Sequence, residues 1–314
     1  MAERVLVTGA DGFIGSWVVD AFATAGYSVL GLDIRSPADR RNPRSDGEYV
    51  VCDLRDGDIE GVIQRFRPNL ISHHAAQASV PGSVKNPVGD AMLNIVGSLR
   101  LMDAARRHGV RKIIYAASGG STYGVPRYLP IDEAHPLDPV SPYAVSKHTV
   151  EHYLRAYQFL YGMAFTSLRY ANVYGPRQDP HGEAGVIAIF SRRMLGEGDP
   201  IINGDGLDDR DYVFVGDVAE ANVAAATRGD NECVNIGSGV GTNVVAIFER
   251  LRVLTGYRGA RIHGPPRAGD VPSVRLDPAR AAEVLAWSPR TTFEEGTERT
   301  VAWFRDRVRA PIPR

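Results

Sequence analysis

Short apolar runs alternate with stretches of helical spacing through the first two-thirds of the chain. Arg4-Val5-Leu6-Val7-Thr8 has no polar alternation, which predicts a strand covered on both faces. Gly9-Ala10-Asp11-Gly12-Phe13-Ile14-Gly15 follows at once. Apolar positions then recur at helical spacing from Ser16 to Ala25, and Gly26 stops them. Tyr27 to Leu32 is a second strand, ending in Asp33. Further strands are predicted at Tyr49–Leu54, Asn69–Gln77, Lys112–Ser118 and Ala164–Tyr170. Helices are predicted to start near Asp56, to span Asp90–His108 up to Gly109, and to run from Ser141 to Tyr161. In the last of these Ser141 is placed to cap and Pro142 to take the first helical position, where its missing N–H costs nothing.

Strands separated by single helices predict an α/β protein: a Rossmann-like doubly wound parallel sheet with a smaller C-terminal α/β domain. After Gly175 the composition changes. Gln178 to Gly185 is polar, Val186–Leu195 reads as a helix, Pro200–Gly206 as a strand and turn, and Cys233–Gly237 as a further strand. The expected division is a core of 1–175 with returning segments 213–237 and about 276–290. Residues 176–212 and 238–275 form the second domain, and 291–314 a C-terminal helix and tail.

With 314 residues the chain can bury a sizeable core without disulfides. A formal net charge of −1 gives no global field that would favour nucleic acid or a membrane surface. Cys52 and Cys233 stand far apart without metal-spaced neighbours, so structural thiols in a reducing compartment are expected. No apolar run approaches the ~20 residues of a membrane span. The N-terminus lacks a basic-then-apolar signal pattern, and a cytoplasmic protein is expected.

The glycine-rich turn between a strand and a helix has the physics of a pyrophosphate site. Glycines let the backbone approach phosphate, and the helix N-terminus offers free N–H donors and positive potential. Asp33 stands where an acid bonds the adenosine ribose diol, and its charge opposes a 2′-phosphate; NAD is therefore expected rather than NADP, with Arg35 pulling slightly the other way. Asp53 closes the third strand and either bonds an adenine amino group or caps the next helix. His73 and His74 point to opposite strand faces, so a shared metal ion is not expected, and no metal site is assigned. Asn94 either lies near a nicotinamide or on the surface. Tyr143 and Lys147 share one helical face. A cation beside a phenol and a positive helix end both favour the phenolate, so Tyr143 is expected to exchange a proton near neutral pH as a general base. Ser118, at a strand end, is expected in the same crevice.

Gly9-x-x-Gly12-x-x-Gly15, Asp33, His74-Ala75-Ala76-Gln77, Ser118, Tyr143-x-x-x-Lys147 and Arg169–Arg177, in that order, resemble the extended short-chain dehydrogenase/reductases. Within that group the likeness is to NAD-dependent nucleotide-sugar epimerases of the UDP-glucose (UDP-galactose) 4-epimerase type, from Val5 to about Phe304. The resemblance implies Tyr143 as base, Lys147 as its activator and ribose anchor, and Ser118 as hydroxyl partner, with Ser121 a second candidate. It implies cofactor contacts from Gly9, Asp11, Gly12, Phe13, Ile14 and Gly15, from Asp33, Ile34, Arg35, Asp53 and Leu54, and from His74, Ala75, Ala76 and Gln77. Asn94, Ala116, Tyr143, Lys147, Tyr170, Asn172 and Val173 complete that set. It implies sugar-nucleotide contacts from Gln77, Ser118, Gly119, Gly120, Tyr143, Asn172, Gly185, Val186, Ile201, Asn203, Arg210, Arg267, Asp270 and Val274. Arg210 and Arg267, read as residues of polar loops, match diphosphate-binding positions, although an ion pair with a neighbouring Asp is the simpler reading of either alone.

Relatives that eliminate water or decarboxylate carry acids after the Ser. Gly119-Gly120 stands there instead, which disfavours elimination and is expected to make room beside a hexose. Glu183 falls near the sugar, and no Arg suited to a uronate carboxylate is apparent, so a neutral hexose is expected. Val274 is small where plain-hexose enzymes carry a bulky aromatic, which admits N-acetylhexosamines. The implied reaction inverts C4 of a UDP-hexose through a 4-keto intermediate. UDP-uronate or UDP-pentose epimerisation, an NAD(P)H-dependent reductase and a non-enzymatic NAD-binding regulator are the alternatives. A homodimer through helices 90–108 and 143–161 is implied by the resemblance.

Overall fold

The computed structural model describes residues 2–42, 47–181, 185–266, 271 and 273–309. Its strands are β1 (Arg4–Thr8), β2 (Ser28–Asp33), β3 (Glu48–Val51), β4 (Leu70–His73), β5 (Lys112–Ser118), β6 (Ala164–Tyr170), β7 (Asn172–Tyr174), β8 (Ile201–Asn203), β9 (Asp209–Phe214), β10 (Glu232–Ile236), β11 (Gly241–Asn243) and β12 (Ile262–Gly264). Seven of them form the central sheet in the order β3-β2-β1-β4-β5-β6-β10, and every neighbouring pair is parallel. The order reverses direction at β1, where β2 lies on one side and β4 on the other. A crevice opens beyond the carboxyl ends of the strands at such a point.

Alternation along β1 shows why the sheet is covered on both faces. Val5 and Val7 pack into one buried cluster with Val18 and Phe22 of helix α1 (Phe13–Thr24). Leu6 faces a second cluster, formed with Ile63 of α2 (Ile59–Phe66), Leu101 of α3 (Ser98–Arg107) and Leu154 of α4 (Pro142–Tyr161). A third cluster forms the smaller lobe. There Tyr174, Tyr212 and Phe214 pack with Ile187 and Phe190 of α5 (Val186–Arg192), Phe248 of α6 (Val244–Thr255) and Val301 of α7 (Phe293–Arg309). Two small sheets, β11-β9-β7 and β12-β8, belong to this lobe.

Several elements differ from the sequence expectation: β3 ends at Val51 rather than Leu54, α1 begins at Phe13 rather than Ser16, and three more differ near the site. β4 ends at His73, not Gln77, because the Thr8 hydroxyl accepts the N–H groups of His74 and Ala75, both at 3.1 Å, and turns the chain out of the sheet. α2 begins at Ile59, and its cap is Asp58, which accepts from Gly61 N at 2.8 Å. The helix expected over Asp90–His108 starts earlier, at Pro87, and carries a π turn over Met92–Gly97 before α3. Such turns re-aim the side chains they contain, and this one contains Asn94. Among the described residues, no helix is long and apolar enough to cross a membrane.

Candidate functional site

The glycine-rich turn is held by backbone against backbone. Gly9 has φ +64°, and a methyl on it would lie 2.8 Å from Ala75 N. A methyl on Gly15 would lie 2.1 Å from the Gly9 carbonyl oxygen. These two glycines therefore lock α1 and the β4 exit onto the turn. Gly12 is the N-cap of α1, and no side chain caps the first N–H groups of the helix. Those donors are left for an anion, as a pyrophosphate would require.

Asp33, at the end of β2, accepts from Asp11 N at 3.0 Å and from Arg35 N at 3.2 Å. The Arg35 guanidinium turns to the fully buried Asp11, with an ion pair of 2.9 Å. Asp11 also accepts from the N–H groups of Arg41 and Asn42, the latter at 2.7 Å. Arg35 is thereby drawn toward Asp11, and Asp33 stands as the acid at the strand end. The residues present suit an adenine dinucleotide without a 2′-phosphate. Ile34 is 63% exposed beside them. Asp53 caps no helix. It binds Arg55 through both oxygens, at 3.1 Å to Nε and 2.6 Å to the terminal nitrogen, and this partner lowers its pKa. Leu54 is buried beneath Gly97.

α4 carries Tyr143 and Lys147, the expected acid–base pair. Ser141 Oγ accepts from Ala144 N at 3.2 Å, the expected cap, and Ser83 Oγ accepts from Tyr143 N at 3.1 Å. Lys147 is buried, and its ammonium donates to the Ala116 carbonyl on β5 at 2.9 Å, 5.0 Å from the centre of the Tyr115 ring. Ser118 bonds the Ser121 hydroxyl at 2.7 Å and stands close enough to Tyr143 to lower its pKa. The strand end and the helix start thus bring Ser118, Tyr143 and Lys147 into one place.

The charge states differ from expectation. Burial pushes the Tyr143 phenol up to about 12, and the Ser118 hydrogen bond only partly opposes it. Part of the ring meets solvent, but protein surrounds its hydroxyl end. Burial also lowers Lys147 to about 8, against the field of Asp90. The protein alone therefore holds Tyr143 protonated: desolvation dominates, the Asp90 charge adds to it, and the Ser118 hydroxyl opposes them only in part.

The remaining polar residues form a second layer. Asn94 Oδ1 accepts from Gln77 N at 2.8 Å, while its amide donates to Gln77 O, to Asp90 and to Ser146 Oγ, at 3.0, 3.0 and 3.1 Å. Asn94 is thus buried beside α4 rather than on the surface. His73 bonds Thr8 at 2.7 Å and Ser98 at 2.9 Å, whereas His74 bonds Ser72 at 2.9 Å and stacks on Tyr170. Burial lowers both imidazoles to about 3. Among the described residues no three His, Cys, Asp or Glu side chains gather as metal ligands.

Among the residues expected to face the sugar, Gly119 leaves no space. A methyl there would lie 2.6 Å from a Leu276 methyl, whereas Gly120 has its nearest neighbour, Asn172 Oδ1, at 4.0 Å. Only the second glycine opens the site. Asn172 is exposed on β7, next to Val173, and its amide reaches Asp211 O at 3.2 Å. Arg210 lies on strand β9, not in a loop, and donates to the carbonyls of Asp209 and Val271. Val274, bridged to Arg210, is 4% exposed. Gly185 and Val186 open α5, while Ile201 and Asn203 bound β8. Glu183, Arg267 and Asp270 lie outside the described residues. Asp90 and Ser83 are the neighbours of the pair that sequence reasoning missed. The four-residue spacing of Asp90 and Asn94 on one helix was the available signal for the first; Ser83 had none.

The family model described as the NAD dependent epimerase/dehydratase family matches residues 5–237. The UDP-glucose 4-epimerase of Mycolicibacterium smegmatis is 45% identical over 310 residues, covering 97% of this chain and 99% of its own. A crystal structure of UDP-glucose 4-epimerase from Thermotoga maritima with UDP-glucose superposes with a TM-score of 0.94 at 44% identity, covering 97% of this chain and 99% of that one. The UDP-glucose 4-epimerase of Thermus thermophilus in complex with NAD gives a TM-score of 0.90 at 42% identity, covering 96% and 99%.

Proposed function

Because the chain belongs to the NAD dependent epimerase/dehydratase family, we propose that it inverts C4 of a UDP-hexose, interconverting UDP-glucose and UDP-galactose, with NAD kept bound through turnover. The observation that carries this reading is the convergence of Ser118, Tyr143 and Lys147 at the crevice beside the glycine turn. Bound there, NAD supplies a reversible hydride acceptor for C4.

The protein's own part is proton traffic and grip. Protonated in the protein alone, Tyr143 would have to ionise when the positive nicotinamide of NAD is bound beside it; as the phenolate it takes the proton of the C4 hydroxyl and returns one to the 4-keto oxygen, so no net oxidation results. Ser118 hydrogen-bonds the phenol and shares the load at that oxygen. Lys147, fixed to Ala116, supplies the positive field that favours the phenolate. Gly12 and the free start of α1 hold the pyrophosphate, and Asp33 the ribose. Asn172 and Arg210 face the sugar nucleotide, with Gly120 giving clearance for the ring to turn over. The sugar domain is assigned to 176–212 and 238–275.

A homodimer is supported by apolar side chains left in solvent on two packed elements. Val88 and Met92 are 71% and 43% exposed on one, Val145 and Leu160 46% and 62% on the other. The test of function is to incubate the protein separately with UDP-glucose, UDP-N-acetylglucosamine and UDP-glucuronate and separate the products. The 4-epimer without NADH accumulation is expected; stoichiometric NADH change would instead establish a reductase.

A further inference from the structure

His148 and His152 stand four residues apart on α4 and so share one face of the helix. His148 is partly buried and His152 is exposed. Their Nε2 atoms lie 3.1 Å apart. An end-on N–H···N bond of that length would hold the ring centres more than about 5 Å apart. The centres are only 4.5 Å apart, with 65° between the ring planes, so the rings lean across the gap and their nitrogens are not aimed end to end. Two nitrogens that share one ion at about 2.0–2.1 Å each are about 2.9–3.4 Å apart, from a square to a tetrahedral angle. The observed separation falls inside that window.

The other nitrogen of His148 is already committed. Nδ1 lies 3.3 Å from Glu151 Oε2. That carboxylate is buried, and it is fixed by Arg169, which donates from Nε at 2.9 Å and from a terminal nitrogen at 2.8 Å, and by Ser167 Oγ at 2.6 Å. An ion-paired carboxylate accepts, so His148 Nδ1 donates, and the neutral ring keeps its lone pair on Nε2, beside His152. A carboxylate that holds one imidazole N–H while the other nitrogen takes a metal is the usual support of a histidine ligand. We propose that His148 and His152 chelate one borderline divalent ion, of the Zn2+, Ni2+ or Cu2+ class, with Glu151 orienting His148. Imidazole nitrogen suits these ions, whereas Mg2+ and Ca2+ take oxygen ligands. Among the described residues no third His, Cys, Asp or Glu joins the pair, so water fills the remaining positions on the exposed side of His152. The site does not depend on the epimerase reading, since neither imidazole is among the residues assigned to cofactor or sugar.

The experiment titrates the untagged, NAD-loaded chain, freed of excess cofactor, with NiCl2 and ZnCl2 by calorimetry, and with MgCl2 as the control. Saturable binding of one Ni2+ or Zn2+ per chain is expected, with no binding of Mg2+. His148→Gln and His152→Gln should each weaken binding at least about tenfold, since even an outer-shell partner contributes that much to metal affinity. His152 is exposed, so its replacement leaves the core intact. Ni2+ should also raise the thermal unfolding midpoint of the wild type but not of His152→Gln, because only the folded helix presents both nitrogens together. α4 also exposes Val145 and Leu160 of the proposed dimer face, so sedimentation accompanies the titration. One ion per two chains, with nitrogens from a second copy, overturns the single-chain site. Binding that survives His152→Gln overturns it too, as does a Ni2+ titration no different from that with Mg2+, which would leave the pair a hydrogen bond alone.

Discussion

The Lys147 ammonium is tied to the carbonyl of Ala116, 2.9 Å away, on the strand that ends in Ser118. One helix start and one strand end therefore fix three reactive groups as a unit, with few rotatable bonds between them. Precision of this kind suits proton transfer, which requires hydrogen-bond reach in the reacting complex.

Tyr143→Phe removes one hydroxyl and leaves the ring. The variant should fold and keep NAD, yet lose ~10²–10⁴-fold in kcat, the usual scale for acid–base catalysis. Steady-state kinetics on UDP-galactose with the cofactor content measured in parallel checks this; near-normal turnover would remove Tyr143 from the mechanism.

Gly15→Ala places a methyl 2.1 Å from the Gly9 carbonyl. The neighbour is backbone, so the turn itself must move. NAD affinity should fall by at least about tenfold, or roughly 1.4 kcal/mol, as read by calorimetric titration. Unaltered affinity would mean the turn yields more easily than its contacts imply.

Glu151→Gln strips a buried ion pair of its acid. Burial, the largest single effect, pushes the wild-type carboxyl up, but bonds from His148, Arg169 and Ser167 together outweigh it and hold the group at about 2, below its ordinary 4.5. A depressed carboxyl stabilises the fold above its ordinary pKa, and that stability fades as pH falls from 4.5 toward 2. The variant should lose roughly 3–5 kcal/mol at pH 7 and show a flatter dependence over that acid range in urea denaturation. A curve parallel to the wild type would contradict the assignment.

Val274→Tyr tests pocket size. It should abolish any N-acetylglucosamine turnover while sparing glucose. Because Val274 is 4% exposed, the larger ring also risks an overpacking cost of about 1–3 kcal/mol, so a melting curve accompanies the two assays. An equal fall in both activities defeats the idea.

The fold was legible where local pattern and buried context agree. β5 and β6 match their expected bounds to the residue, and α4 starts at its Ser-Pro cap, because turn chemistry and apolar runs mark these ends. Tertiary contacts governed what was not legible. Thr8 ends β4 early through hydrogen bonds across the sheet, and no local signal marks that. Of the site, the glycine turn and the Tyr143–Lys147 pair were readable from spacing. The protonation state of Tyr143 was not, since it depends on how much protein surrounds the hydroxyl. Gly119 and Gly120 look alike in sequence, yet only one faces open space.

The clamp between Arg35 and Asp11 has an evolutionary reach. Freeing that guanidinium for a phosphorylated ribose would begin with loss of Asp11, and Asp11 anchors two separate pieces of chain, at Arg35 and at Arg41–Asn42, at the rim of the crevice. A substitution that released Arg35 would loosen this rim as well, so the allegiance is guarded by architecture as well as by repulsion.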